Sequence, residues 1–302
     1  MIVYVNRKPH VGPWGGGNKT LSGICENLTS LGHSVVFNLQ ENIDVILCFD
    51  PRPDSSGIWY QHLYNYKQKF NTPIVHRVGD LGTHSKPELY DLVKQTIPHS
   101  SHVVFPSQWA LEYSDFKGKN YSIIPNRPRS IFYENRDINF KSTEKLKAVT
   151  HHWSNNPMKG FDVYSHIDKN LADILDFTYI GRVPESFSFA RSKYIPPVDD
   201  REISKLLPKN DFYLTASRQE AGANHVLEAL AAGLPVIYHE DGGSIGEYVG
   251  NHGIPYSDQD SLYSAILDMK ENLESYKANL KDYSEDIQQT IDQYCEIICQ
   301  TI

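Results

Sequence analysis

Apolar residues in this chain concentrate in short runs separated by longer stretches of mixed character. The runs are Ile2–Val5, Val35–Phe37, Ile43–Phe49, Thr72–Val78 and His102–Phe105, then Leu146–Thr150, Asp176–Ile180, Asp211–Ala216 and Val236–Tyr238. Runs of this length without strict alternation suit strands covered on both faces, as in a parallel sheet. Between them apolar positions recur with helical spacing. Leu21, Ile24, Leu28 and Leu31 share one face, as do Leu89, Leu92, Val93 and Ile97. Ile287, Ile291, Tyr294, Ile298 and Ile302 form a last amphipathic helix. Shorter helices are expected at Tyr60–Lys69 and Arg201–Leu207, and a longer one near Ser261–Tyr276. Ser85 with Glu88 and Ser244 with Glu247 have the spacing of capping boxes. Strand and helix alternate through both halves, which predicts an α/β chain with helices over parallel sheets. Arg127–Lys145 is polar, lacks a period and reads as a linker.

The chain has 302 residues, enough for two domains of ordinary size. A net charge of −8 argues against a nucleic-acid surface. No apolar run approaches the length of a membrane span, and Met1–Asn6 reads as a strand rather than a signal peptide. Four scattered cysteines do not make a disulfide framework, and Cys295 and Cys299 share a helix face where core packing is expected. The expectation is a cytoplasmic α/β protein. No basic amphipathic helix marks tight docking to an anionic membrane, although peripheral contact is left open.

The densest chemistry lies between Ser217 and Ile237. A strand runs into it, a helix follows, and Gly233 with Pro235 ends that helix before the next strand. Glu220 precedes the helix and Glu228 lies within it. Gly222, Ala223 and Asn224 fall where the first turn begins, with its open amides and positive dipole end suited to phosphate. A glycosidase-like acid/base pair is excluded by distance. Eight helical steps rise about 12 Å, beyond the roughly 5–9.5 Å such carboxylates need. The pattern alone is also ordinary α/β punctuation, with Glu228 a solvated helix residue.

The segment Glu220-x7-Glu228-Ala229-Leu230-Ala231-Ala232-Gly233-Leu234-Pro235-Val236-Ile237, followed by Asp241-Gly242-Gly243, resembles the donor-binding segment of GT-B retaining glycosyltransferases, specifically glycosyltransferase family 4. Gly222 stands where that family usually has an aromatic residue, and Ala223 where it has glycine. Other stretches carry the resemblance further. Gly15-Gly16-Gly17 before a helix ending Leu28-x-x-Leu31-Gly32-His33-x-Val35 resembles the family's glycine loop. Ser107-x-Trp109 resembles a strand end of its first domain, and Tyr121–Asn126 its crossing into the second, with Arg127 in place of glycine. Lys159-Gly160 resembles the Lys-Gly whose lysine contacts the donor diphosphate. The arginine usual a few residues earlier is absent, with Trp153 and Ser154 in its place; Arg182, Arg218 or the histidines are its candidate substitutes.

The resemblance implies two Rossmann-like domains facing across a cleft: an acceptor domain over 1–140, a nucleotide-sugar donor domain over 141–282, and a final helix, 283–302, returning to the first. It implies sugar transfer from a nucleotide-diphosphate donor, UDP or GDP type, to a hydroxyl of a glycan, lipid-linked or small-molecule acceptor. Configuration at the anomeric carbon is retained, and neither metal nor further cofactor is needed. Glu228 holds the ribose. Lys159 and the amides of Gly222, Ala223 and Asn224 hold the diphosphate, and Glu220 the donor sugar. Gly16 and Gly17 close over sugar or phosphate, and Arg182, with Val198, approaches the base.

At the C-terminal end of the Thr72–Val78 strand, where open parallel sheets bind ligands, His76, Arg77 and Asp80 are candidates for the acceptor side or reaction centre. A lone histidine there is more often structural. His151-His152 is not expected to hold a metal, since neighbours on a strand face opposite ways. Asp199-Asp200 precedes a helix and is read as serving its dipole. Three other readings stay open. Gly12-x4-Gly17-Asn18-Lys19-Thr20 is one residue off a phosphate-binding P-loop of an NTPase. A nucleotide-sugar epimerase shares the fold, and a non-catalytic glycan-binding relative would explain the absent arginine.

Overall fold

A computed structural model describes residues 1–10, 16–139 and 145–302. The chain divides into two compact units. One comprises Met1–Asn126 with Ile287–Ile302, the other Arg127–Asp286.

Unit 1 contains β1 (Ile2–Val5), α1 (Gly16–Ser30), β2 (Ser34–Val36), β3 (Val45–Cys48), α2 (Tyr60–Phe70), β4 (Ile74–Arg77), α3 (Pro87–Thr96), β5 (His102–Phe105), α4 (Gln108–Ser114) and β6 (Tyr121–Ile123). Its parallel sheet has the order β2-β1-β3-β4-β5-β6. Successive strand residues serve opposite faces, with period two. Val3, Val5, Val45 and Leu47 pack with Leu21, Ile24 and Leu28 of α1; Tyr4, Ile46 and Cys48 pack with Tyr60, Leu63 and Tyr66 of α2. At the β1/β3 switch Asn6 locks the strand ends, accepting from the Phe49 amide at 2.7 Å and donating to the Asp50 carbonyl at 2.6 Å.

Unit 2 contains β7 (Leu146–His152), α5 (Phe161–His166), β8 (Leu175–Gly181), β9 (Lys193–Ile195), α6 (Asp200–Leu206), β10 (Phe212–Thr215), α7 (Asn224–Ala231), β11 (Val236–His239), α8 (Ile245–Val249), β12 (Gly253–Tyr256) and α9 (Gln259–Asn279). Its parallel sheet runs β12-β11-β10-β7-β8-β9. The chain builds outward from β7 to β9, returns to β10 on the other side of β7, and continues outward. One face packs on α5 and α9 through Tyr164, Ile266 and Met269; the other packs on α7 and α8 through Val226, Leu230 and Ile245.

The last helix, α10 (Ile287–Gln300), belongs to unit 1. Ile291, Tyr294, Cys295 and Ile298 pack in the α1 face of that unit, while Cys299 is exposed. Gly23 permits the close approach, since a Cβ there would stand 2.3 Å from Ile291 Cδ1.

Several elements differ from the sequence reading. The polar stretch read as a linker is part of unit 2 over residues 127–139: Phe132 is fully buried in its core, and Arg136 donates to the carbonyls of Tyr283 and Leu280. α3 starts at Pro87, with Lys86 at the cap and no side-chain cap bond, because Pro87 supplies the first-turn geometry and Ser85 sits in the left-handed region at φ 61°. Ser244 does not cap α8 with its hydroxyl, which accepts from the Ala223 amide instead. The edge strands β9 and β12 are short and half exposed, and β12 contains Pro255, so neither gave a clear apolar run. No helix among the described residues is long and apolar enough to cross a membrane.

Phe132→Ala is expected to destabilise unit 2 by about 3–5 kcal/mol, the usual cost of an aromatic cavity. Urea unfolding followed by near-UV circular dichroism measures it. A loss below about 1 kcal/mol would show that residues 127–139 are peripheral to the core after all.

Candidate active site

The chemistry of unit 2 gathers where the strand order reverses, beyond the C-terminal ends of β7 and β10. Crevices at such switch points are where open α/β sheets bind ligands. Because β7 exposes alternate residues to alternate faces, His151 and His152 part there. His151 turns to α7, where Nε2 lies 2.7 Å from a Glu228 carboxylate oxygen. His152 turns to α5, with Nε2 2.8 Å from the Tyr164 hydroxyl. His225, in the first turn of α7, lies 3.1 Å from the Thr215 hydroxyl, and its ring centroid is 4.9 Å from that of His152. The Tyr164 hydroxyl also accepts from the Ala216 amide, and burial pushes its pKa up to about 12, so it stays a neutral partner.

Lys159 closes a short turn, Pro157–Lys159, capped by the Asn156 side chain, which accepts from the Met158 amide at 2.9 Å. Gly160 follows at φ 81°, and a Cβ there would stand 2.3 Å from the Ala216 carbonyl oxygen. Only glycine lets this turn lie against the end of β10. Lys159 is 8 % exposed, and its ammonium pairs with Glu220. The Ser217 hydroxyl donates to the same carboxylate oxygen. The Gly242-Gly243 turn fixes the Glu220 backbone: its amide donates to the Gly242 carbonyl at 3.2 Å and its carbonyl accepts from Ser244 at 2.9 Å. Gly243 is at φ 68° and could not carry a Cβ without meeting Glu220.

Lys159 and Glu220, expected to contact diphosphate and sugar, form one ion pair with each other, because the Gly160 turn sets the lysine on the carboxylate. The amides of Gly222, Ala223 and Asn224, expected as a shared phosphate seat, are partly engaged within the protein: Ala223, the cap of α7, donates to Ser244 Oγ at 3.2 Å, and Asn224, its first residue, to the Gly222 carbonyl at 3.1 Å. Arg182 lies with its guanidinium carbon 4.2 Å from the Trp153 ring centroid, so the aromatic in place of the usual arginine carries a cation from β8. Arg218 pairs with Asp162 at 3.0 Å. Val198 packs against the α7 face of the core. The cluster of His151, His152 and His225 was not assembled from the sequence, because only the β7–β10 adjacency brings it together. Among the described residues no group of three or more His, Cys, Asp and Glu is placed to hold a metal ion.

Residues 159–272 match the family model described as glycosyl transferases group 1. No curated protein matches the chain by sequence. Among solved structures, the chain is similar to WaaG, a glycosyltransferase involved in lipopolysaccharide biosynthesis, at 15 % identity, with 99 % of each chain covered and a TM-score of 0.65. It is similar to Anabaena HepE in complex with UDP and glucose, at 14 % identity, 99 % coverage of each chain and a TM-score of 0.67. Sucrose-phosphate synthase from Thermosynechococcus elongatus is 14 % identical, covering 99 % of this chain and 98 % of its own, with a TM-score of 0.70.

The match to the group 1 family model covers unit 2 from the Lys159 turn into α9. The fold of the whole chain is the GT-B fold of those glycosyltransferases. The Lys159–Glu220 ion pair lies within the matched residues, as does Glu228, the hydrogen-bond partner of His151. Arg129 lies close enough to Glu228 to feel its charge, and pairs with Asp200.

The remaining candidates belong to unit 1. His76 is completely buried inside β4, stacked on Tyr60 at 5.3 Å between centroids, with Nδ1 3.3 Å from Ser100 Oγ. It does not reach solvent, so its reading as a reaction-centre group is withdrawn. Burial lowers its pKa to about 3. Asp80 accepts from the Gly82 amide at 2.8 Å and pairs with Lys86 at 2.6 Å, which makes it a turn-forming residue. Gly16 and Gly17 open α1. Gly12, of the P-loop reading, lies outside the described residues. Thr20 is buried in α1 and donates to the Gly16 carbonyl at 3.3 Å.

Lys159→Met is expected to cost about 3–5 kcal/mol, because it leaves the Glu220 carboxylate buried and unpaired. Adding Glu220→Met should recover a large part of that loss. A double-mutant cycle in denaturant tests this, and additive losses would mean the two groups are energetically independent.

The buried His76 sets a pH dependence. Its pKa is lower folded than unfolded, so the unfolded chain binds the extra proton between about pH 6.5 and 3. Stability is therefore greatest above pH 6.5 and falls as pH drops through that window, by about 1.4 kcal/mol per pH unit at most from this group. His76→Phe should flatten the slope of unfolding free energy against pH; an unchanged slope would mean that His76 protonates freely in the native state.

Proposed function

We propose that this protein is a nucleotide-sugar-dependent glycosyltransferase. It moves a sugar from a UDP- or GDP-type donor to a hydroxyl of a glycan or lipid-linked acceptor, with retention of anomeric configuration. The observation that carries the reading is the pair of carboxylates on either side of the α7 start, each engaged by a cation-capable partner, at the switch point of a group 1 domain. HepE, similar in fold, was solved with UDP and glucose.

In this reading Glu228, set by its bond to His151, accepts from the ribose hydroxyls. Lys159 lies beside the diphosphate and stabilises the charge that develops as the sugar–phosphate bond breaks. Glu220, held on its backbone by the Gly242-Gly243 turn, orients the donor sugar hydroxyls. Arg182 on Trp153 supplies a cation in the region of the usual arginine. Unit 1 binds the acceptor, with Gly16 and Gly17 presenting a side-chain-free helix start. Charge neutralisation by these groups would leave transfer independent of added metal.

Calorimetric titration with UDP and GDP in EDTA, then with magnesium, tests the donor site. One diphosphate nucleotide should bind in EDTA, and Glu228→Ala should weaken it by about tenfold to a hundredfold. Magnesium-dependent ATP binding that ignores Glu228→Ala would overturn the reading in favour of the glycine-rich turn at Gly12–Thr20. Isomerised free sugar without an acceptor would identify an epimerase, and an inverted product anomer would refute retention.

A further inference from the structure

Parallel sheets are normally covered on both faces. In unit 2 one face is covered only in part. Ile180 and Ile195, towards the C-terminal ends of β8 and β9, share a core with Ile203, Leu206 and Leu207 of α6 and its following turn. Nearer the N-terminal ends, register places Lys147 beside Asp176 and Thr178 beside Lys193, and period two puts them on the face of Ile180 and Ile195. Lys147, Asp176 and Lys193 are exposed there. They line a groove of about 540 Å³, at the opposite end of the sheet from Lys159 and Glu228.

Five cations line the groove: Lys145 and Lys147 at the start of β7, Arg191 and Lys193 at the entry to β9, and Lys209 in the turn after α6. Asp176 is the carboxylate among its lining residues. Lys145 pairs with Asp176 at 2.6 Å, and Arg191 with Asp173. Asp211 accepts from the Lys147 main-chain amide at 2.7 Å. These acids are engaged, and among the described residues the ammonium groups of Lys147, Lys193 and Lys209 form no ion pair.

This local excess of positive charge runs against the chain as a whole, whose net charge is −8. An exposed lysine on an edge strand guards against pairing with another sheet, which accounts for Lys193 alone. β7 lies inside the sheet, between β10 and β8, and Lys209 belongs to no strand. Like charges brought together from three separate elements repel one another unless an anion comes between them. A single small anion would match one lysine and leave the others unmatched. Linked phosphates carry several charges in a compact chain. The groove has the size of a small-molecule site, for which roughly 300–1,000 Å³ is usual, and half-buried Ile195 and Leu206 give it an apolar wall.

We propose that this groove binds a small molecule carrying two or more linked phosphate groups, with Lys147, Lys193 and Lys209 as charge partners and Thr178 as a hydroxyl donor. The site is distinct from the donor candidates at the other end of the sheet and does not depend on the transferase reading.

The full-length protein, with isotopically labelled isoleucine methyl groups, is titrated with inorganic tripolyphosphate at constant ionic strength, and the Ile195 methyl resonance is followed. A saturable shift is expected in the wild type and in Glu228→Ala. Lys147→Gln, Lys193→Gln and Lys209→Gln should each weaken binding about threefold, and all three together about tenfold or more. The three lysines are exposed, so these variants test charge rather than folding. Lys205→Gln, an exposed lysine of α6 outside the groove, should leave the affinity unchanged. Inorganic monophosphate should bind at least about tenfold more weakly than tripolyphosphate. A shift that never saturates, or unchanged affinity in the triple variant, would overturn the site. Equal weakening by Lys205→Gln would reduce it to a diffuse charge effect. A response lost in Glu228→Ala would place the anion at the donor candidates instead, and equal affinity for monophosphate would refute the linked-phosphate assignment.

Discussion

Parallel pairing of β7 with β10 is the constraint on which the candidate site depends. Phe212 and Tyr213 register with Ala148 and Val149, so the loops that leave the two strands emerge side by side. One loop brings Lys159 and the other Glu220. The strand end itself brings His151 to Glu228. Remove that adjacency and four charged or titratable groups lose their partners together. The pairing is secured by burial on both faces: Phe212 and Leu214 enter the α5/α9 core, and Tyr213 the α7/α8 core. The same period-two alternation sends His151 and His152 to opposite faces, so a pair with Glu228 and a pair with Tyr164 grow from two adjacent residues.

Glycine performs the close approaches. Gly160 and Gly243 both adopt left-handed backbone, and in both a Cβ would collide with a neighbouring carbonyl. The first lays the Lys159 turn on β10. The second wraps the loop after β11 round the backbone of Glu220. The ion pair between the two side chains is therefore held from both sides by backbone, which reduces the entropy lost in ordering a lysine. A buried pair of this kind adds little net stability. Its effect is to fix the positions of an ammonium and a carboxylate at the strand ends.

The fold could be read from the sequence wherever strands are buried on both faces. Val45–Cys48 and Phe212–Leu214 are hydrophobic throughout because both of their faces are covered. Edge strands escaped that logic. Lys193–Ile195 and Gly253–Tyr256 each have a neighbour on one side only, so charge and proline are tolerated. Residues 127–139 escaped for another reason. Phe132 is one aromatic in a polar stretch, and its burial is decided by the helices it meets rather than by any period of its own.

For the site, the sequence by itself determined which residues carry chemistry: the two glutamates spaced about a helix start, the Lys-Gly turn and the Gly-Gly turn. These follow from local backbone rules, because a helix start, a glycine and a proline mean nearly the same thing in any fold. Only tertiary structure decided who bonds to whom. It joined Lys159 to Glu220, gave the Ala223 amide to Ser244, buried His76 away from solvent and stacked Arg77 on Phe49. Those outcomes depend on residues far apart in the chain competing for the same donors, acceptors and space, and that competition is settled only when the strands have taken their order.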